Sequence, residues 1–152
     1  MSETVHGTAV LAGAHGVLIR GVSGSGKSML AHAMLMRGGR LVADDRVHLS
    51  ARDGRVVASA VAPVAGLLEL RGRGIVTVPH ERSAVIRLVV DIVSEAALER
   101  LPDSDQLTAT ILDVALLRQP VPPATERAMM LVEAALAALS GAGDSGLRLV
   151  RV

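Results

Sequence analysis

The octapeptide GVSGSGKS at residues 21–28 constrains the fold more than any other feature, because an apolar run at residues 16–19 stands directly before it. A strand that feeds a turn of the form G-x-x-x-x-G-K-S, which then opens a helix, forms a cradle for phosphate groups. Its glycines let backbone N–H groups point into one concavity, and the new helix adds the positive end of its dipole. We expect Lys27, as a solvent-accessible charge, to reach the β- and γ-phosphates of a nucleotide, and the Ser28 hydroxyl to bind Mg²⁺.

The spacing of apolar residues predicts an α/β fold in a single domain, with a strand-rich middle. We predict helices from residue 27 to about 37 and at 124–139, and a helical turn within 95–101. Strands are predicted at 5–11, 15–20, 40–43, 47–49, 55–59 and 84–93, strand or turn segments at 66–70 and 74–78, and a more ambiguous strand at 107–117. Residues 52–54 are typical of a hairpin turn. A domain at 1–140 would be followed by a loop or flexible tail at 141–152.

Composition narrows the class of protein. The 152 residues suffice for one domain, and 16 basic against 15 acidic side chains leave no excess charge that would favour nucleic acid or an anionic membrane. Cysteine is absent, which excludes disulfides and thiol catalysis and fits a cytoplasmic protein. No apolar run has the length of a membrane span. Because Phe, Trp and Tyr are also absent, aliphatic side chains must build the core and hold any adenine ring.

Three further positions could carry chemistry. Asp44-Asp45 ends a short apolar run soon after the phosphate loop, where an acid could hold Mg²⁺ through water or accept a proton from an attacking hydroxyl. Adjacent residues of a strand point to opposite faces, so only one acid would face the nucleotide unless the chain turns there. Glu69 lies between leucines, and His6 lies near the terminus. Spacing alone is also compatible with solvent-exposed residues of no catalytic role at each of these positions.

Taken in order, these features resemble the C-terminal catalytic domain of the HPr kinase/phosphorylase family. The resemblance is carried by His6-Gly7, the loop at 21–28, RGGRLVADDRV at 37–47 and GLLELRGRGI at 66–75, and more weakly by Arg100-Leu101 and residues 121–127. These bacterial enzymes phosphorylate a serine of HPr, the small phosphocarrier of the sugar phosphotransferase system. The resemblance therefore implies the P-loop fold of phosphoenolpyruvate carboxykinase, a protein serine kinase that uses ATP and Mg²⁺, and an HPr-type protein as substrate.

The same resemblance implies roles for individual residues. The ATP-binding residues would be Gly21, Val22, Ser23, Gly24, Ser25, Gly26, Lys27 and Ser28. Ser28 and Glu69 would ligate Mg²⁺. The catalytic residues would be His6, Lys27, Asp44, Asp45 and Arg100. One acid of the Asp44-Asp45 pair would accept the proton of the substrate serine, and the sequence leaves open which one.

Some features depart from the family. Its members commonly carry an N-terminal domain before this one, so we expect a truncated form. Residues 122–127, PPATER, lack the usual lysine and glycine of a region important for dephosphorylation, so we expect weak phosphorylase activity beside the kinase activity. The family often forms hexamers through this domain, which implies a homo-oligomer.

Two other functions remain alternatives. A small-molecule kinase on the same scaffold would need a closed polar pocket beside Asp44. A non-catalytic, nucleotide-dependent regulatory module would need only the phosphate loop and magnesium ligands. The presence of His6, Arg100 and both adjacent acids favours catalysis over pure binding.

Overall fold

The computed structural model describes residues 1–61 and 66–140 of the chain. Two helices are present in these ranges, α1 (Lys27–Leu35) and α2 (Thr125–Leu139), together with a 3₁₀ turn at Glu95–Ala97. The strands are β1 (Ser2–His6), β2 (Thr8–Ala12), β3 (His15–Arg20), β4 (Arg40–Ala43), β5 (Arg46–Arg52), β6 (Arg55–Ala60), β7 (Leu67–Leu70), β8 (Gly74–Thr77), β9 (Ser83–Ile92), β10 (Thr108–Ile111) and β11 (Val114–Val121). The predicted α/β class is confirmed.

Nine of the described strands form one sheet, in the order β1-β5-β6-β9-β3-β2-β4, and β11 with its partner β10 joins at β9. Two strands pair with one edge of the long strand β9. Ser83–Val85 pair antiparallel with β6, and Leu88–Ile92 pair parallel with β11. The other edge pairs parallel with β3. β7 and β8 form a separate antiparallel hairpin. Parallel strands therefore occupy the middle of the sheet, where β3 leads into the phosphate loop.

Apolar side chains cover both faces of these central strands. Val17 and Ile19 of β3 pack on one face with α1, α2 and Leu68 of β7, whereas Leu18 packs on the other face with residues of β5 and β6 such as Leu49. All of these side chains are fully buried. A near-continuous run of Val, Leu and Ile is typical of a parallel strand that is covered on both faces. The aliphatic residues thus form two cores that hold the phosphate loop between the sheet and α1.

Gly7 divides the strand that the sequence predicts at residues 5–11. β1 ends at His6 and pairs with β5, whereas β2 begins at Thr8 and pairs with β3 and β4. The Gly7 N–H donates to the Asp45 carbonyl oxygen, and a Cβ atom at Gly7 would lie 2.8 Å from the carbonyl oxygen of Ile19. The prediction of one continuous strand was wrong. Glycine is required at this bend by close packing against β3, and the local sequence pattern does not reveal that contact.

The ambiguous strand predicted at residues 107–117 is a hairpin. β10 and β11 are joined by Leu112 and Asp113, which both have positive φ angles, 49° and 65°. Such a turn normally carries Asn or Gly, so the sequence contained no clear signal for it. The expected hairpin turn at 52–54 is confirmed, since Asp53 and Gly54 adopt φ angles of 54° and 73°.

Both helices begin and end close to their predicted limits. α1 ends at Leu35, two residues before the predicted limit, and the Gly39 N–H then donates to the Met34 carbonyl oxygen. α2 begins at Thr125, one residue after the two prolines. Neither described helix is long and apolar enough to cross a membrane. The tail predicted at 141–152 lies outside the described residues.

Candidate active site

The phosphate loop leaves β3 at Gly21 and ends where α1 begins at Lys27. Gly24 and Gly26 have φ angles of 81° and 108°, in the left-handed region that favours glycine. The first N–H groups of α1 have no intrahelical acceptor, because helix geometry leaves them free. The Ser25 hydroxyl is buried inside the loop without a hydrogen-bond partner among the described residues. Free donors at a helix start, together with the helix dipole, fit the phosphate groups of a nucleotide.

Lys27 is buried, with an exposed fraction of only 8%. Its Nζ atom donates to the carbonyl oxygens of Gly21 at 2.7 Å and Val22 at 3.0 Å. The expectation of a solvent-accessible charge was therefore wrong. The curled loop turns these two carbonyls toward the ammonium group, and their hydrogen bonds replace the water that Lys27 loses on burial.

Asp44 connects β2, β4 and α1 through hydrogen bonds at one oxygen. Its Oδ1 atom accepts from the Thr8 hydroxyl at 3.0 Å and from the Ser28 hydroxyl at 3.3 Å. Thr8 is fully buried, so it gives the carboxylate a fixed anchor. Asp44 is therefore held beside the hydroxyl at the start of α1.

Asp45 lies at a turn of the chain, with a φ angle of 70°. Because the strand has ended, the two acids do not simply point to opposite faces of the sheet. An Asp45 Oδ1 atom lies 3.3 Å from the Nδ1 atom of His6, and the two side chains are 72% and 49% exposed. The adjacent acids thus occupy different surroundings, one anchored by hydroxyl groups and the other at the surface beside a histidine.

A cleft of about 300 Å³ adjoins the two acids. Asp44, Asp45 and Glu69 line it together with Ile75 of β8. Glu69 faces outward, since its neighbour Leu68 points into the core and side chains alternate along a strand. Mg²⁺ prefers one or two carboxylates combined with hydroxyl, water and phosphate oxygens. The Ser28 hydroxyl and the carboxylates of this cleft are therefore oxygen donors of the kind that Mg²⁺ prefers.

Arg100 lies apart from these contacts. It is exposed on the segment between the 3₁₀ turn and β10, and no hydrogen bond or ion pair joins it to another site residue within the described chain. The structure thus links Ser28, Asp44, Asp45 and His6 by contact or adjacency and places Glu69 in the same cleft.

The segment before α2 lies against the phosphate loop. A Cβ atom at Gly26 would lie 3.7 Å from the carbonyl oxygen of Pro123. Arg127, in the first turn of α2, donates from Nη1 to both carboxylate oxygens of Glu95 at 3.0 Å. The chain before α2 therefore presents a carbonyl oxygen to the loop, and the arginine in the first turn of α2 is paired with Glu95.

A charged network that the sequence patterns did not predict lies beside the loop. Arg20 donates from Nε and Nη2 to the two oxygens of Asp91, at 2.8 and 2.9 Å, and Arg118 donates from Nε to Asp91 Oδ2 at 2.6 Å. Asp91 is only 14% exposed. One signal could have revealed it, since Asp91 interrupts an otherwise apolar run near the end of a buried strand. Thr8 was also missed, and nothing in its sequence context distinguishes it.

The charge of Asp91 depends on its partners. Burial would by itself raise the pKa of Asp91, but the hydrogen bonds from Arg20 and Arg118 outweigh burial and hold the pKa below its usual value. The hydrogen bond to Asp91 likewise raises the pKa of Arg20. The network therefore keeps one negative and two positive charges at neutral pH.

Comparison with known proteins decides the family. The HPr Serine kinase C-terminal domain family matches residues 1–145. The chain belongs to this family. An HPr kinase/phosphorylase of Lacticaseibacillus casei is 34% identical over 141 residues, which cover 86% of this chain and 44% of that protein. An HPr kinase/phosphorylase of Clostridium tetani is 44% identical over 75 residues, which cover 49% of this chain and 25% of that protein.

A solved structure agrees with this assignment. The Hpr(Ser) kinase/phosphatase of Coxiella burnetii superposes with a TM-score of 0.78 at 25% sequence identity, covering 91% of this chain and 99% of that chain. This chain spans less than half the length of the curated relatives it matches. The shared fold and family therefore concern the domain described above.

Replacement of Asp91 by asparagine should destabilise the protein by about 2 kcal/mol at neutral pH, because charge-assisted hydrogen bonds to both arginines weaken. The folded-state pKa lies below the unfolded value, so this stabilisation is present above about pH 4 and is lost as the pH falls further. Urea unfolding of the wild type and Asp91→Asn from pH 7 to pH 3 measures the difference. The exposed Asp105→Asn serves as control, and a difference that stays constant down to pH 3 would contradict this account.

Proposed function

We propose that this chain is the catalytic domain of a serine kinase that uses ATP and Mg²⁺ to phosphorylate an HPr-type phosphocarrier protein. The contact of Asp44 with the Ser28 hydroxyl carries the proposal, because it brings an acid next to the phosphate loop, as a phosphoryl-transfer site would require. Relatives named HPr kinase/phosphorylase support the acceptor. The proposal includes Arg100, whose charge would stabilise the transferred group.

Nucleotide binding would use the phosphate loop. The glycines and the free N–H groups at the start of α1 cradle the phosphates. Lys27 would exchange its hydrogen bonds with the Gly21 and Val22 carbonyls for phosphate oxygens. Ser28 and Glu69 would hold Mg²⁺, which neutralises phosphate charge when bound. The side chains thus supply positive charge and orientation for the terminal phosphate.

Asp44 fits the role of general base better than Asp45. In the transfer, the serine oxygen bonds to the γ-phosphorus, the bond to the leaving ADP oxygen breaks, and the serine proton passes to a carboxylate. A base must lie within hydrogen-bond reach of that hydroxyl. Asp44 contacts the Ser28 hydroxyl beside the phosphate site, whereas Asp45 lies farther out against His6. We assign the proton to Asp44 and support of the incoming serine to Asp45 and His6.

The surface around the acids favours a protein acceptor over a small molecule. Asp45 is 72% exposed, and Ile75 at the cleft is 70% exposed. A small-molecule kinase would enclose its substrate to exclude water. An open surface with an exposed apolar side chain instead suits contact with another protein.

We extend the proposal to three further expectations. The phosphoenolpyruvate carboxykinase type of P-loop fold agrees with the successive hairpins that follow α1. Homo-oligomerisation follows from the family resemblance. A cytoplasmic location is the third expectation, because a sequence without cysteine fits a reducing compartment.

The main experiment incubates the chain with labelled ATP, Mg²⁺ and an HPr-type protein of the same organism, and locates any phosphoserine. Lys27→Met should lower kcat at least about a hundredfold, because phosphate charge is no longer neutralised at the loop. Lys27 is the single lysine of the chain, so an acyl-phosphate derivative of ATP should acylate only this side chain, and excess ATP should prevent it. Circular dichroism checks that the variant is folded. Undiminished transfer by a folded Lys27→Met protein would exclude the proposed phosphate site.

The two acids should respond differently to amide substitution. Asp44→Asn should lower kcat about a hundredfold to a thousandfold, because the amide cannot accept the proton, while ATP binding is retained. Asp45→Asn should reduce turnover less. Single-turnover transfer and direct ATP binding measure the two effects. Asp53→Asn is a matched control, since Asn is equally suited to the left-handed turn that Asp53 occupies. Wild-type turnover in Asp44→Asn would remove Asp44 as the base.

The reverse reaction should be weak. In that reaction inorganic phosphate attacks phosphoserine, the serine oxygen leaves, and pyrophosphate forms. Prolines 122 and 123 have no N–H donors, the Pro123 carbonyl faces the phosphate loop, and Arg127 is engaged by Glu95. Pyrophosphate release from seryl-phosphorylated HPr in saturating phosphate should therefore be much slower than the kinase reaction. Glu126→Gln should raise it by removing repulsion. Equal forward and reverse rates would mean that this segment only begins α2.

A further inference from the structure

The network of Arg20, Asp91 and Arg118 joins the central strands at the edge from which the phosphate loop starts. Arg20 is the last residue of β3, Asp91 lies beside it in register on β9, and Arg118 lies on β11. Carboxyl ends of parallel strands meet at one edge of a sheet, where ligands commonly bind. The network is therefore directly attached to the start of the phosphate loop.

Arg118 also holds a second segment. Its Nη1 atom donates to the Gln106 carbonyl oxygen at 2.8 Å, and its backbone N–H donates to the Leu107 carbonyl oxygen at 2.8 Å. Asp103 and Gln106 exchange two further hydrogen bonds of 3.1 Å. We call residues 98–107 the Arg100 loop. Its carboxyl-terminal end is thus fixed to the residue that binds Asp91.

The other end of the Arg100 loop is held near α2. The Ser94 hydroxyl accepts from the Ala97 N–H, and Glu95 binds Arg127 in the first turn of α2. α2 begins just after Pro123, whose carbonyl lies close to Gly26 of the phosphate loop. The carboxyl-terminal end of the Arg100 loop is therefore linked to the start of the phosphate loop through Arg118, Asp91 and Arg20, and its other end is linked to α2 through Glu95 and Arg127. Arg100 and Leu101 between them are exposed.

We propose that Arg118 is a positioning residue, which holds the Arg100 loop in a fixed place relative to the phosphate loop through Asp91 and Arg20. This inference rests on the proposed function, in which Arg100 stabilises the transferred phosphoryl group. An arginine is required because its planar guanidinium addresses two acceptors in fixed directions, the Asp91 carboxylate and the Gln106 carbonyl. A lysine has a single ammonium group and could not reproduce both directions.

A role of Arg118 in stabilising the sheet alone does not account for its contact with the Arg100 loop. The backbone pairing of β9 with β11 runs from residues 117 to 121 and holds the strand without the guanidinium. Loss of Arg118 also leaves Asp91 bound at both oxygens by Arg20, so no buried charge becomes unpaired. The hydrogen bond that requires the Arg118 guanidinium runs from its Nη1 atom to the Gln106 carbonyl oxygen, and it joins the network to the Arg100 loop.

Arg118→Lys and Arg118→Gln should lower kcat for HPr phosphorylation about tenfold to a hundredfold, because a displaced catalytic group loses its alignment. The Kd of ATP should stay within about twofold, because the phosphate loop keeps its own contacts. In an Arg100→Ala background, Arg118→Gln should cause little further loss, since the group it positions is gone. The matched control is Arg87→Gln, which removes an exposed arginine of β9 and should leave kcat unchanged.

Hydrogen exchange gives a readout that does not depend on the acceptor. Arg118→Gln should accelerate amide exchange in residues 98–107 and leave α2 protected. Unchanged exchange there, a fully additive double variant, or a loss confined to ATP affinity would each overturn the positioning role. If the wild-type chain phosphorylates no HPr-type protein, the proposed function fails, while the exchange experiment still decides whether Arg118 anchors the loop.

Discussion

The parallel pairing of β3 with β9 sets the path of the chain into the phosphate loop and therefore the position of the site. It lets the chain leave the sheet at Arg20, beside Asp91, and enter the phosphate loop between sheet and helix. Gly16 makes the approach possible, because any Cβ atom there would collide with the Val85 carbonyl oxygen. A shift of one residue in this register would exchange the two faces of β3 and place Arg20 in the aliphatic core beneath the helices.

The adjacent residues Asp44 and Asp45 place two carboxylates in different surroundings within the site. Because Asp45 adopts a left-handed conformation after the end of β4, Asp44 turns inward to Thr8 and Ser28 while Asp45 stays at the surface with His6. In the proposed mechanism, these different surroundings give the two carboxylates different roles. The bend at Gly7 supports this arrangement, since its N–H binds the Asp45 carbonyl and brings His6 to the same place.

Local sequence patterns predicted most helices, strands and turns correctly. They failed where contacts between residues far apart in the chain determine the local structure. The phosphate loop, α1, α2 and the Asp53-Gly54 hairpin follow from spacing and turn residues that act within a few positions. The break at Gly7 and the hairpin at Leu112-Asp113 do not, because packing against β3 and the pairing of β10 with β11 impose them. Burial of Lys27 was missed for a similar reason, since carbonyls of the folded loop surround it.

The class of fold, the phosphate loop and the acids that lie near it could be predicted from the amino-acid sequence, because short sequence patterns specify each of them. The folded chain was needed to show that Asp44 is the acid that contacts Ser28 and that Glu69 lies in the same cleft. It was also needed to show that Arg20, Asp91 and Arg118 form one network. These residues are far apart along the chain, and the pairing of β3, β9 and β11 brings the network together. Sequence spacing carries no information about such distances until strand order and register are known.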